Sequence, residues 1–292
     1  ADVREFAANI GISSAESEAM ASHGQALLLR LSQMPFVTVA AIQGVCLGGG
    51  AELAIWCDRR IVANDERTQI GFPEVKLGLF PGWGGTVRTP RLVGISNAVE
   101  IITSGRSVSA QEAVAMGLAD LWVAPEDLEA AAVRMVRQEQ ASRKFEDDRR
   151  CREQPIEISE TELGFLGATA SAMIRSETKG QYPAPVAALE VLLEGAMLDV
   201  PTALAREAQA MGQLFGSEVN ASLLNVFFLT DRNKKDPGVD SDIKPAKLER
   251  VGVVGAGIMG AGIAAANLKR GVQVLLADAS AKSLYGGLQN AL

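Results

Sequence analysis

Apolar positions recur at helical spacing from about Ser14 to Gln33, with Met20, Leu27, Leu28 and Leu31 on the pattern, and Pro35 closes the segment. The spacing then changes. Pro35 to Ile42 is a continuous β-rich run, three glycines follow at 48 to 50, and Ala51-Glu52-Leu53-Ala54-Ile55-Trp56 resumes as a helix. The stretch therefore reads as strand, tight turn and helix. Arg59 to Ala63 is a short strand and Asn64-Asp65 a turn. Ser109-Ala110-Gln111-Glu112 has capping-box spacing and opens a helix that Gly117 ends. Leu118 to Ala124 is a closing strand, and Glu126 to about Ala141 an amphipathic helix.

From Arg143 to Glu160 the chain is charged and irregular, as a linker or domain edge would be. Between about Thr161 and Thr230 the period is helical throughout, interrupted at 179–185 and at Pro201, so this part predicts a set of connecting helices. Asp231 to Lys247 is polar, carries Pro237-Gly238 and Pro245, and reads as a linker. A new unit then opens. Leu248 to Val254 is strand-like, Gly255-Ala256-Gly257-Ile258-Met259-Gly260 leads into a helix that Gly271 stops, and Val272 to Ala277 is a second strand.

Length adds that 292 residues suffice for about two domains, and 48% apolar with 22% charged residues is the composition of an ordinary globular protein. A net charge of −7 argues against nucleic acid and anionic membrane surfaces, which both need concentrated positive charge. No apolar run is long enough to span a bilayer, and the N-terminus has no secretory pattern. The three cysteines, Cys46, Cys57 and Cys151, form no close pair, so neither a disulfide framework nor a zinc site is expected, and no metal is assigned. The single histidine, His23, falls in a helix and is read as a surface residue, which sets aside histidine-based triads.

Two stretches carry chemistry. Glycine lets the main chain approach a ligand closely, and the first turn of a helix leaves N–H groups without internal acceptors, so the Gly48-Gly49-Gly50 turn suits an anionic oxygen. Glu52, three residues past Gly49, lies on the same first turn. The second stretch runs from Ile70 to Thr86, where Pro73 stiffens the backbone that presents Glu74. Each has a plain alternative: a turn packing helix on strand, and a solvated acid after a proline. Taken together, two carboxylates beside an oxyanion site suit chemistry next to a polarised carbonyl. In the last unit the G-x-G-x-x-G glycines Gly255, Gly257 and Gly260 sit between strand and helix, and Asp278 ends the next strand 18 positions on. That context predicts a pyrophosphate at the helix N-terminus and ribose hydroxyls on Asp278, favouring NAD over NADP.

Ile42 to Ala54, Gly71 to Gly78, Pro81-Gly82-Trp83-Gly84-Gly85-Thr86 and Ser109 to Ala113 together resemble the crotonase (enoyl-CoA hydratase) superfamily. The last segment resembles the NAD-binding half of 3-hydroxyacyl-CoA dehydrogenase. The middle, with Lys179 to Pro185 and Phe227 to Arg232, resembles the connector of the fused hydratase–dehydrogenases of fatty acid β-oxidation. What the resemblance implies is an α/β protein: a crotonase-like ββα spiral over 1–141, a helical connector over 142–247, and the start of a Rossmann NAD-binding domain over 248–292. It implies that Glu52 activates water, that Glu74 protonates the α-carbon, and that the N–H groups of Ala1 and Gly49 form the oxyanion hole. It also implies that Asp231 touches substrate and that Met259 lies where the loop backbone meets the nucleotide.

The implied substrate is a coenzyme A thioester, trans-2-enoyl-CoA, hydrated to 3-hydroxyacyl-CoA, with NAD serving the dehydrogenase part. The alternatives are a Δ3-Δ2-enoyl-CoA isomerase and a non-catalytic acyl-CoA-binding or assembly fragment. A thiolase β subunit and an oligomer are the implied partners. The implied compartment is the bacterial cytoplasm, or a peroxisome or mitochondrion in a eukaryote. The chain starts without methionine and stops just past Asp278, so it reads as a piece of a longer protein that holds at most part of NAD and transfers no hydride by itself.

Overall fold

The computed structural model describes residues 3–236, 238 and 247–291, and the chain divides into two compact units, 1–232 and 233–292. The first unit opens with α1 (Val3–Ala8) and α2 (Ser14–Ser32). The Ser13 hydroxyl caps α2 by accepting the Glu16 N–H, and the Glu16 carboxylate accepts the Ser13 N–H in return. β1 (Val39–Ile42), β2 (Val45–Leu47), α3 (Gly49–Trp56), β3 (Arg59–Ala63) and β4 (Gln69–Gly71) follow. Of the run expected over 35–42 only the second half is strand, and Gly44, at a φ of +77°, leads the chain into the further strand β2 ahead of the glycines.

Next come α4 (Gly85–Val93), α5 (Ile95–Ser104), β5 (Ser107–Ser109), α6 (Ala110–Ala115), β6 (Leu121–Val123) and α7 (Leu128–Ser142). β1, β3 and β6 form one parallel sheet with β3 central and buried along its whole length. That burial explains its unbroken apolar segment Ile61-Val62-Ala63. β2 pairs in parallel with β4, which pairs antiparallel with β5. These two small sheets set α3 and the chain after β4 beside each other.

Two expectations change here. The charged stretch after residue 143 is not irregular: it forms α8 (Lys144–Arg152), bolted to the sheet by buried ion pairs. Arg59 reaches Asp148 at 2.6 Å and Glu139 at 2.8 Å, and Arg149 reaches Asp58 at 2.6 Å, with the Asp58 and Glu139 side chains almost wholly buried. Charge that looks like a solvated linker in sequence is here internal pairing. The expected division at residue 142 is also not a boundary between compact units. α9 (Glu160–Thr178), α10 (Pro183–Ala196), α11 (Val200–Leu214) and α12 (Glu218–Lys235) complete the first unit, and α10 packs on α5 while α11 packs along α2. One hydrophobic core runs from Ala21 through Ile55, Phe80 and Ile102 to Leu192 and Met211. The helices expected to be a separate connector supply part of that core.

The second unit holds β7 (Arg250–Val254), α13 (Ile258–Leu268), β8 (Gln273–Ala277) and α14 (Ala281–Ala291). β7 and β8 pair in parallel from Arg250↔Gln273 to Val254↔Ala277, joined by α13 as the crossover. A parallel pair needs such a crossover, and the glycine turn supplies its entry.

Candidate active site

β2 delivers the chain to Gly48, whose φ of +58° turns it sharply into α3. The Gly48 carbonyl accepts the Glu52 N–H at 2.9 Å and so closes the first turn of that helix. Gly49 is then the first residue of α3, with an N–H that has no acceptor within the helix. Gly49, Glu52 and Glu74 all line one cavity of about 230 Å³. Its remaining wall is mostly apolar: Phe80 and Trp83 on one side, Met211 from α11, and Phe6 from α1 set edge-to-face against Phe215 at 6.0 Å.

Glu52 is 3% exposed, so its carboxylate needs donors, and the turn before α4 provides them. Its Oε1 accepts the Trp83 N–H at 2.7 Å and the Gly85 N–H at 3.0 Å. Only glycine fits at 85, because a Cβ there would stand 2.3 Å from Pro81 Cβ and 2.9 Å from that same Oε1. Gly84, at φ +97°, packs on Trp56, whose indole N–H donates to the Trp83 carbonyl at 2.7 Å. The expected match at 81–86 is therefore the cradle of the carboxylate.

Glu74 sits in a 3-10 turn, Pro73–Leu77, that Gly78 closes at φ +78°. Gly78 allows a close approach by α12: a Cβ on it would lie 2.9 Å from Asn220 Cα. The buried Asn220 amide donates to the Leu77 carbonyl at 2.7 Å, which braces the turn that carries Glu74. Glu74 Oε2 is buried and, among the described residues, has no hydrogen-bond partner.

The protonation of both acids follows from that burial. Desolvation holds Glu52 well above the ordinary glutamate range, the charges of Glu74 and Glu207 push the same way, and the Trp83 and Gly85 N–H groups offset part of it. Burial first, with the charge of Glu207 adding, pushes Glu74 up to about 7 against a hydrogen bond from its own backbone. Burial thus raises the proton affinity of both acids, the direction that an acid and a base working near neutrality need.

Glu207 itself was not singled out from the sequence. It is fully buried on α11, with burial pushing it up to about 7. The pattern did carry a signal: Val200, Ala203, Leu204, Ala208 and Met211 form the buried face of α11, and Glu207 falls among them where an apolar residue belongs.

The other expected residues divide. Ala1, the second oxyanion donor, lies outside the described residues. Asp231 is on α12, about 16 Å along the helix from Asn220 and not on the cavity wall, so the structure does not bring it to Glu52 and Glu74. In the second unit, Gly255 has φ +99°, Gly257 caps α13, and a Cβ on Gly260 would stand 1.7 Å from the Gly255 carbonyl. Asp278 accepts the Ala256 N–H at 2.7 Å and the Ser280 N–H at 2.9 Å, and these donors lower its pKa. Ile258 and Met259 are 92% and 80% exposed at the start of α13, which leaves that helix end open to a ligand.

Comparison with known proteins agrees with this layout. Residues 250–291 match the family model described as 3-hydroxyacyl-CoA dehydrogenase, NAD binding domain. The fatty acid oxidation complex subunit alpha of Vibrio vulnificus (strain CMCP6) is 38% identical over 242 residues, which are 83% of this chain and 34% of that protein. The chain thus spans about a third of that relative's length. The crystal structure of an enoyl-CoA hydratase/isomerase from Xanthobacter autotrophicus Py2 superposes with a TM-score of 0.50 at 22% identity, covering 84% of this chain and 76% of that one, which shows the shared fold. Residues 1–146, half of the chain, match the model described as enoyl-CoA hydratase/isomerase, and the chain belongs to that family.

Proposed function

We propose that the first unit hydrates trans-2-enoyl-CoA to 3-hydroxyacyl-CoA, and that in the longer protein the second unit begins the domain that oxidises this product with NAD. The observation that carries the reading is the convergence of Glu52, Glu74 and the Gly49 amide on one apolar cavity. The thioester carbonyl oxygen would accept the Gly49 N–H, and loss of one such donor typically costs on the order of 100- to 1,000-fold in rate. Ionised Glu52 takes a proton from water as its oxygen bonds the β-carbon. The electron pair of the double bond moves to the α-carbon, and protonated Glu74 delivers its proton there. One proton leaves Glu74 and one arrives on Glu52, so water is added and the pair resets by exchanging that proton.

The glycine turn at 255–260 fits a dinucleotide. Gly255, Gly257 and Gly260 let the backbone come close, the Met259 position lies at the helix end, and Asp278 stands at the ribose position, already hydrogen-bonded to the loop. NAD bound there would supply hydride acceptance. The residues of this unit bind and orient it.

The test is turnover of an enoyl thioester by the intact protein, followed by its absorbance, with Glu52→Gln and Glu74→Gln. Both variants lose hydration on this reading, and wild-type rates in both would sink it. A second reading is supported by Glu74 Oε2, which has no hydrogen-bond partner among the described residues: one carboxylate suffices to move a proton between carbons, so Glu74 would also shift a double bond. Glu52→Gln should then abolish hydration while keeping conversion of a 3-enoyl to a 2-enoyl thioester. Assembly with a thiolase β subunit as an oligomer, and a bacterial cytoplasmic location, extend the same proposal; the native mass of the intact protein tests the first. Among the described residues no helix is long and apolar enough to cross a membrane.

A further inference from the structure

The turn at 83–86 serves two buried carboxylates at once. Trp83 and Gly85 donate their N–H groups to Glu52, and Gly84 and Thr86 donate theirs to Glu207, at 2.7 and 2.9 Å. The donors alternate along the chain. The N–H groups at the start of a helix have no acceptor within it, so two acids packed on this turn can divide them between themselves. Glu207 also accepts the Thr86 hydroxyl and, at 2.9 Å, the Gln25 amide from α2. Four donors on two oxygens satisfy the side chain, and they offset part of the burial that raises its pKa to about 7.

We infer that Glu207 is a positioning residue for the hydration site: it fixes the turn at 83–86 so that the remaining N–H groups hold Glu52 Oε1 in the cavity. This rests on the hydratase reading above, in which Glu52 is the base. Glu207 does not line the cavity and touches no substrate, so it acts through Glu52. The clamp spans three separate parts of the chain, α2 through Gln25, the turn before α4, and α11. It ties the helices after residue 142 directly to the catalytic acid. The Gln25 amide extends the clamp by donating to the Gly82 and Leu204 carbonyls at 3.2 and 3.0 Å.

Charge acts alongside geometry. The titratable groups that feel Glu207 are Glu52 on α3 and Glu74 on its 3-10 turn, and its negative charge raises both. Gln25 on α2 and Thr86 on the turn are neutral donors. Arg88, further along α4, is turned to Trp56, 4.7 Å above its ring. Removing the charge therefore moves the protonation of the catalytic pair to lower pH.

The experiment compares Glu207→Gln, Glu207→Asp and the double variant with Glu52→Gln in the intact protein, with thermal melts to fix the folded fraction. Gln keeps the size but sets an NH2 against backbone donors. We expect kcat per folded molecule to fall roughly 10- to 100-fold with KM within about threefold, and the acid limb of kcat/KM to move to lower pH. Asp keeps the charge, so its acid limb stays at the wild-type pH while kcat recovers in part. In the Glu52→Gln background the second substitution should change the residual rate by less than about twofold, because residues acting as one unit are not additive. Full multiplication of the two losses overturns the inference, as does an unmoved acid limb in Glu207→Gln with the loss explained by unfolding. If Glu207→Gln does not fold, an Asp variant with wild-type kcat overturns it equally. Wild-type turnover in Glu52→Gln and Glu74→Gln would instead remove the hydratase reading itself, whatever Glu207 does.

Discussion

Two glycine turns in this chain have the same local grammar, strand, turn and helix, and opposite surroundings. At 48–50 the turn opens into a buried cavity, and the acid that follows it, Glu52, is 3% exposed and shares its space with two other carboxylates. At 255–260 the turn faces outward, with Ile258 92% exposed, and its acid, Asp278, keeps ordinary solvent contact and is held below its usual range by backbone donors. The first arrangement raises proton affinity and makes an acid–base pair. The second lowers it, because the N–H groups that Asp278 accepts favour its charged form. Glycine supplied the turn in both places, and burial decided in which direction the proton affinity of the acid moved.

The largest expected effect on this contrast is Glu52→Gln. The amide oxygen still accepts from Trp83 and Gly85, so the fold stays while enoyl-thioester hydration falls by about 100- to 10,000-fold; an unchanged rate would erase the distinction between the two turns. Next is Gly260→Ala, whose Cβ would stand 1.7 Å from the Gly255 carbonyl. Overpacking of this kind costs about 1 to 3 kcal/mol or more, so melting of the second unit and NAD titration should both suffer while hydration is untouched.

The third effect concerns pH. Glu74 is raised in the folded protein to about 7, above its unfolded value, so the native state binds more protons than the unfolded chain in between. Stability due to this group is then full below the unfolded value and is lost as pH rises through about 7. Glu74→Gln should therefore stabilise the protein at pH 8 by on the order of 1 kcal/mol, and by little at pH 4, in denaturant titrations.

Asp278 has the opposite sign: its folded value is lowered, so its contribution is present above the unfolded value and is lost as pH falls through the folded one. Asp278→Asn should weaken NAD binding by roughly tenfold at neutral pH, measured by calorimetry, and by less in acid. The smallest change is Ser17→Ala. The Ser17 hydroxyl lines the apolar side of the cavity, is 1% exposed and has no hydrogen-bond partner among the described residues. Its removal should raise the melting free energy by about 0.5 to 1 kcal/mol.

Much of this was legible along the chain. The β–glycine–α stretches, Pro73 before Glu74, and Asp278 after the second strand all announce themselves by local rules of glycine, proline and periodicity. α8 did not, because its Asp148 and Arg149 pair with Arg59 and Asp58, which lie far back in the sequence. The strand Val45–Leu47 was also hidden, since three residues carry little pattern and its pairing with β4 in the second sheet defines it. Asp231 was named on resemblance, and the structure sets it on α12 away from the cavity wall.

What the sequence alone determined, then, is the α/β class, the two glycine turns and the identity of the acids beside them, because these depend on residues within one or two turns of each other. The tertiary structure decided which acids meet. It brought Glu207 from α11 and Asn220 from α12 behind the two carboxylates of the cavity, and merged the expected connector with the core of the first unit. Proton affinity depends on burial and on charges close in space, and neither quantity is a property of neighbours in the chain.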